Sequence, residues 1–385
     1  MYIKRDLHQQ LKPFLDRKEA IVITGMRQVG KTSLLKQLFK EINSDNKVFL
    51  DLENPSDQLL FAETDYNKIP LNVNLDLSRR AYVFIDEIQG MKNIPSIAKY
   101  LSDHYNIKFF LTGSASFYIR NMFTESMAGR KFIFELFPFN FNEFLRAKNE
   151  TPLPDKKQAI GKFNFIKYSN LFDEYLRYGG FPKVVLSPTP REKEEALKDI
   201  FSAYWSLEVE RLSDFRRQDK MRDFIFLLME RVGSKIDINK FSKELGISRN
   251  TVMDYLSFLR DTYLVSLIPP YSTNRDVEIR GAKKLYFADT GLLNQFAQID
   301  RGSIFENAIF NLLRRHGEVR YWQQKDGQEI DFIVNRQIAY EAKLAATEQD
   351  AKKLHRRAKK IGLKKYFLVS YKYSSHPKTI YGFML

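Results

Sequence analysis

The chain has 385 residues, too long for one ordinary core, and a length of that order calls for two or three domains. It has no cysteine and five scattered histidines (His8, His104, His316, His355, His376), which excludes disulfides and thiol catalysis and leaves no zinc-ligand spacing. The net charge of +15 favours polyanion partners, against the plain alternative of an AT-rich genome's preference for lysine. Met1-Tyr2-Ile3-Lys4-Arg5-Asp6 is followed by no apolar signal segment. No window approaches the ~18 apolar residues of a membrane span. A cytoplasmic protein without membrane association is expected.

Residues 1–150 alternate apolar runs with helical patterns. Ile21-Val22-Ile23-Thr24, Lys47–Leu52, Tyr82-Val83-Phe84-Ile85 and Lys108–Thr112 read as four strands separated by helices. That is the βαβ pattern of a parallel sheet covered on both faces. Residues 151–162, with Pro152 and Pro154, read as a linker. Residues 163–215 read as helical, broken at Tyr178-Gly179-Gly180-Phe181-Pro182.

Gly25-Met26-Arg27-Gln28-Val29-Gly30-Lys31-Thr32-Ser33 matches G-x-x-x-x-G-K-[ST] in full, after a strand and before the helical run Ser33–Lys40. The glycines let backbone N–H groups face phosphate oxygens, and the helix N-terminus adds positive potential. Lys31 is expected at the β- and γ-phosphates, and Thr32 on Mg²⁺. The third strand ends in Asp86-Glu87, a Walker-B pattern that delivers Asp86 to the metal and Glu87 to an attacking water. The fourth ends Leu111-Thr112-Gly113-Ser114, where Thr112 or Ser114 would sit beside the γ-phosphate. ATP and Mg²⁺ are therefore the expected ligands, and the second carboxylate points to hydrolysis.

With Ala128-Gly129-Arg130, Tyr178-Gly179-Gly180-Phe181-Pro182 and Asp289-Thr290-Gly291-Leu292, these motifs resemble AAA+ ATPases. The resemblance is closer to a prokaryotic family in which such a domain precedes a C-terminal domain of unknown function. It implies that Arg130 contacts a γ-phosphate in this protomer or in a neighbour within a homo-oligomer, stabilising developing charge. It also implies that Gly180 and Pro182 abut the nucleotide base. The plain alternatives are a structural salt bridge for Arg130 and a helix-breaking turn for Gly-Gly-x-Pro.

Further on, Ile238–Leu245, the turn Gly246-Ile247-Ser248 and Arg249–Leu259 read as a helix-turn-helix, followed by strands at Tyr263–Ile268 and Lys284–Ala288. That order suggests a winged helix, with Ser248, Arg249, Asn250 and Thr251 heading the recognition helix. A packing module is the alternative.

In the last segment, Gln328–Val334 and Ile338–Lys343 flank the turn Asn335-Arg336-Gln337. A hairpin centred on Arg336 places Asp331 across from Glu341, with Cβ atoms ~5 Å apart. Facing carboxylates call for a neutralising ion such as Mg²⁺, and Lys343 shares the face of Glu341. The arrangement resembles the PD-(D/E)XK nuclease fold, although Ile330 stands where that name has proline. The resemblance implies metal binding by Asp331 and Glu341, charge stabilisation by Lys343, and an upstream helical acid at Glu306. Lys352, Lys353, Arg356, Arg357, Lys359, Lys360, Lys364 and Lys365 follow as a basic segment suited to a nucleic-acid backbone.

The expected fold class is α/β. A P-loop AAA+ parallel-sheet domain (1–160) precedes a helical lid-like region (161–219), a winged helix (220–298) and a restriction-endonuclease-like domain (299–385). The expected function is an ATPase controlling a nuclease-like domain that acts on nucleic acid, DNA before RNA. The chief rival is an ATP-dependent switch or scaffold whose nuclease-like domain is catalytically silent and only binds DNA or protein. A small-molecule kinase is the third option, and the layout and charge argue against it.

Overall fold

The structure, a computed structural model, describes residues 2–114, 127, 129–154, 161–210, 218–324, 326–374 and 376–385. Ala128, the linker residues 155–160 and the end of the predicted helical stretch (211–215) lie outside the described residues. The chain divides into two compact units, residues 1–137 with 261–263, and residues 138–260 with 264–385.

The first unit is built on five strands: β1 (Ala20–Thr24), β2 (Lys47–Asp51), β3 (Ala81–Asp86), β4 (Ile107–Gly113) and β5 (Lys131–Glu135). Their order is β2-β3-β4-β1-β5, and every pair is parallel. β1 and β4 are buried along their whole length, which is why they read as unbroken apolar runs rather than alternating ones. Helix Lys31–Glu41 follows β1, and helix Ile94–His104 joins β3 to β4. The apolar side of the latter, Ile97, Ala98 and Leu101, packs into a core with Val83, Ile85, Phe109 and Leu111. β5 was not legible as a strand: Lys-Phe-Ile-Phe-Glu is a half-exposed edge strand, flanked by charge and too short for a clear period.

In the second unit, helices Phe141–Ala147 and Lys162–Tyr178 stack Phe141, Phe144, Phe172 and Tyr175 with Phe305 and Phe383. This cluster absorbs some of the chain's 32 phenylalanines and 20 tyrosines. Helix Gln218–Met229 precedes Ile238–Leu245 and Arg249–Asp261, and the last two match the predicted pair. Gly246 ends the first of that pair at φ 63°, a left-handed cap that glycine adopts without strain. The antiparallel strands β6 (Val265–Ile268) and β7 (Lys284–Phe287) follow, with the short helix Arg275–Arg280 between them.

The second sheet is mixed. Its order is β12-β11-β10-β9-β8, from β8 (Val319–Gln323), β9 (Glu329–Val334), β10 (Ile338–Lys343), β11 (Lys365–Ser370) and β12 (Thr379–Tyr381). β8, β9 and β10 are antiparallel neighbours, whereas β10, β11 and β12 run parallel. Helix Glu348–Lys360 makes the crossover from β10 to β11. It buries Ala351, Leu354 and Ala358 against Ile333 and Ala339. The described part of the chain is thus a parallel-sheet AAA+-like core, a helical region and a second mixed-sheet domain. Among the described residues no helix is long and apolar enough to cross a membrane.

Candidate functional site

The phosphate loop leaves β1 and wraps back into helix Lys31–Glu41 through unusual backbone at Gly25 (φ 145°), Gln28 (φ 63°) and Gly30 (φ 96°). A Cβ on Gly25 would lie 2.2 Å from the Leu136 carbonyl oxygen, so only glycine fits there. The helix begins at Gly30 without a side-chain cap, which leaves its first-turn amides to a ligand in the manner of phosphate sites. Lys31 is buried, and its Nζ donates to the carbonyls of Gly25 and Met26, both at 3.1 Å.

Because β4 lies between β1 and β3, its tip stands beside Asp86. Thr112 Oγ1 donates to Asp86 Oδ1, and the Glu87 amide donates to Thr112 Oγ1 at 3.2 Å. Burial pushes the Asp86 carboxyl above the ordinary aspartate range; hydrogen bonds from Thr112 and Thr32 pull it back, and Glu87 and Asp51 add repulsion. Glu87 stands at φ 56° and holds Gln89, whose Oε1 accepts the Ser114 amide at 3.3 Å. Ser114 Oγ is buried with no hydrogen-bond partner among the described residues. Backbone amides, a lysine, the Thr32–Asp86 oxygen pair and this buried hydroxyl are the donor set a magnesium nucleotide calls for, so the residues present fit that group.

Two contacts here had no sequence signal. Arg5 is buried and donates to the Val29 carbonyl at 2.7 Å and the Phe137 carbonyl at 2.5 Å, clamping the loop from the N-terminal segment. Tyr263, at φ 64° and part of the first unit, donates its hydroxyl to Thr24 Oγ1 at 2.6 Å, one residue before the loop.

Arg130 stands away from the phosphate loop of its own protomer. The β1–β5 register sets Ala20 beside Lys131 and Thr24 beside Glu135, so Arg130 lies at the sheet edge where β1 begins, and the phosphate loop where β1 ends. Four strand steps separate them, about 13 Å, further than an arginine side chain spans. Its Nε instead pairs with Asp103 at 2.9 Å on the surface. Arg130 therefore does not serve this protomer's own loop.

Two motifs of the second unit meet each other. Asp289 is buried and caps helix Thr290–Phe296. One oxygen accepts the Gly291 amide at 2.8 Å and the other the Gly180 amide at 2.7 Å. Gly179 stands at φ 77°, and a Cβ there would lie 1.8 Å from the Asp289 carboxylate. One on Gly180 would lie 2.2 Å from the Phe139 carbonyl oxygen. Gly-Gly-Phe-Pro and Asp-x-Gly-Leu thus form one packed junction, which by itself accounts for both glycines. Pro182 opens the short helix that follows.

The hairpin register places Val334 beside Ile338 and Phe332 beside Tyr340, and the next residues along the two strands are Asp331 and Glu341. Asn335 (φ 50°) and Arg336 (φ 58°) make the turn. Glu341 Oε1 and Oε2 lie 3.2 and 3.1 Å from Arg357 Nη1, and Oε1 lies 3.0 Å from Lys343 Nζ. Glu306 Oε1 accepts the Tyr286 hydroxyl at 2.7 Å and lies 3.6 Å from Lys284 Nζ, which also pairs with Glu329. Asp331 Oδ2 accepts the Ala342 amide at 2.8 Å. Burial pushes the Asp331 carboxyl up to about 8; Glu306 and Glu341 add repulsion, and Lys343 and Lys284 oppose it. The four predicted residues are therefore brought together, with Lys284, Tyr286, Glu329 and Arg357 as members that the motif did not name. Among the described residues no three acidic or histidine side chains are grouped to hold a metal ion.

Comparison with known proteins assigns the first unit. Residues 17–145 match the AAA domain family; residues 169–303 and 301–380 match two domains of unknown function, DUF8612 and DUF4143. The chain carries an N-terminal AAA+ P-loop ATPase domain, a nucleotide-binding module, joined to uncharacterised C-terminal domains. An uncharacterized protein of Methanocaldococcus jannaschii is 28% identical over 94% of this chain and 82% of its own length. An uncharacterized protein of Haemophilus influenzae is 26% identical over 89% of this chain and 87% of its own. Solved structures that match include the Aeropyrum pernix ORC2 protein in its ADP form, 15% identical, spanning 69% of this chain and 87% of that one, TM-score 0.34. AMPPCP-bound DnaA from Aquifex aeolicus is 15% identical, spanning 66% and 86%, TM-score 0.30.

Proposed function

We propose that the protein is an ATP-dependent switch: nucleotide bound and hydrolysed in the first unit alters how the second unit engages nucleic acid, DNA before RNA. In this reading Lys31 and the loop amides hold the phosphates, and Thr32 and Asp86 hold Mg²⁺, which neutralises phosphate charge. Glu87 orients the attacking water, and Thr112 and Ser114 register the γ-phosphate from the tip of β4. The nuclease-like sheet binds rather than cuts. The observation that carries this is the ion pairing of its acids: Glu341 is held by Arg357 and Lys343, and Glu306 by Lys284 and Tyr286.

The nucleic-acid part rests on surface chemistry. Lys352, Lys353, Arg356, Lys359 and Lys360 are exposed along one helix, with Lys364 and Lys365 beyond it. Ser248, Arg249 and Asn250 are exposed at the head of the second helix of the helix-turn-helix. A Mg²⁺-dependent nuclease remains the second reading, favoured by the placement of Asp331 opposite Glu341 with Lys343 beside them.

One experiment separates them: binding and cleavage of single- and double-stranded DNA and RNA, with and without ATP and Mg²⁺, for wild type, Lys31→Ala and Asp331→Ala. The switch reading expects nucleotide-dependent affinity that Lys31→Ala abolishes, and no cleavage. Cleavage lost in Asp331→Ala establishes the nuclease instead.

Arg130 gives a second test. Arg130→Ala should leave ATP affinity within twofold of wild type, since only an exposed pair with Asp103 is lost. If it acts on a neighbour's γ-phosphate, wild-type turnover rises with protein concentration and the variant's does not. Loss of affinity in dilute Arg130→Ala would contradict the register argument.

A further inference from the structure

The acidic cluster of the second sheet does not fit a divalent metal as it stands, and the misfit has a specific cause. By strand alternation Glu329, Asp331 and Ile333 on β9 share a face, as do Ala339, Glu341 and Lys343 on β10. That face is covered by helix Glu348–Lys360, whose Leu354 and Ala358 are buried on either side of Arg357 and fix where its side chain goes. A single nitrogen of Arg357, Nη1, spans both oxygens of Glu341 at 3.1 and 3.2 Å and donates to the Glu329 carbonyl at 2.7 Å. One positive atom facing both oxygens of one buried carboxylate occupies the position that a chelated cation would take. The other acids are also engaged: Glu306 and Glu329 share Lys284, and Asp331 accepts a backbone amide. Lys284, Lys343 and Arg357 thus stand against Glu306, Glu329 and Glu341, three cations to three glutamates.

We infer that Arg357 is the resident cation of this site, standing in for a divalent metal at Glu341 and making the cluster metal-independent. The inference rests on the switch reading, to which it supplies the cause of catalytic silence. It also accounts for the buried charge. An unpaired Glu341 under a packed helix would be strongly destabilising, and a cation covalently part of the chain removes that cost without a bound ion.

The test uses the full chain, stripped of metal and free of nucleotide, with thermal melting and isothermal titration against Mn²⁺. The variants are Arg357→Met, Glu341→Gln and both together. Wild type should show no Mn²⁺-dependent rise in melting midpoint. Arg357→Met should melt lower by roughly 5–10 °C. Millimolar Mn²⁺ should restore part of that loss, and adding Glu341→Gln should remove the response. Arg357→Gln takes the place of Arg357→Met if the latter does not fold. A Mn²⁺ rise in wild type that Glu341→Gln abolishes overturns the inference, and so does an Arg357 variant that stays blind to Mn²⁺. Wild-type metal binding at Glu341 without DNA cleavage would defeat this inference and leave the switch intact. Loss of nucleotide-dependent DNA binding would do the reverse.

Discussion

Lys31→Ala should weaken ATP binding by at least 100-fold and reduce hydrolysis to background. The ammonium is almost fully buried, so water does not replace it when it is removed. It sits inside the loop, held by the Gly25 and Met26 carbonyls, from which it can transfer to phosphate oxygens without leaving the site. Charge-assisted bonds of this kind contribute about 1.5–3 kcal/mol each, and two of them reach about 100-fold in affinity. Titration with a fluorescent ATP analogue measures the first effect, and phosphate release the second. The fold should survive, because the substitution lies in the loop and the first turn of its helix and leaves the β1 and β4 core untouched. An unchanged melting midpoint without nucleotide, together with loss of the ATP-induced rise, is the expected signature. ATP affinity within a few-fold of wild type would remove the loop from the nucleotide site.

The first unit was legible because its chemistry is local. A phosphate loop is nine consecutive residues, and Asp86-Glu87 closes a buried apolar run, so neither needs knowledge of distant parts of the chain. What was not legible depends on register or long reach. Whether Arg130 can reach its own protomer's loop cannot be read until the pairing of β5 with β1 is known. That pairing puts it at the end of β1 away from the loop. Arg5 clamps a loop 24 residues ahead and a carbonyl 132 residues away, and nothing in Lys4-Arg5-Asp6 distinguishes it from a surface charge.

The second sheet shows the same division. The turn Asn335-Arg336 fixes the register of β9 on β10, and a two-residue period then dictates that Asp331 meets Glu341, which is why the pair could be foreseen. Its partners could not. Arg357 lies in a run of basic residues, and only the packing of Leu354 and Ala358 turns it inward while Arg356 and Lys359 stay exposed. Lys284 comes from β7, far upstream, with no pattern linking it to Glu306 or Glu329.

Asp289 carries the largest stability effect. Its carboxylate joins segments 109 residues apart by accepting the Gly180 and Gly291 amides in a site closed to water. Asp289→Ala leaves those donors unpaired, at about 1–3 kcal/mol each, so unfolding of the second unit should become easier by about 3–5 kcal/mol. For a unit of this size that lowers the melting midpoint by about 10 °C. A pH comparison isolates the charge. Burial pushes the Asp289 carboxyl from the usual 3.8 up to about 6, with the Gly180, Gly291 and Leu292 amides pulling the other way. The folded state therefore holds the proton more tightly than the unfolded chain. The stability this contributes is fully present below pH 3.8 and is lost as pH rises through 6. That window corresponds to about 3 kcal/mol. Asp289→Asn keeps the shape and cannot ionise, so other titrating groups cancel in the difference. Measured against wild type by denaturant unfolding, it should be about 2.4 kcal/mol less unfavourable at pH 7 than at pH 4. A difference that does not change with pH, or changes in the opposite sense, would mean that the amides outweigh the burial and hold Asp289 ionised throughout.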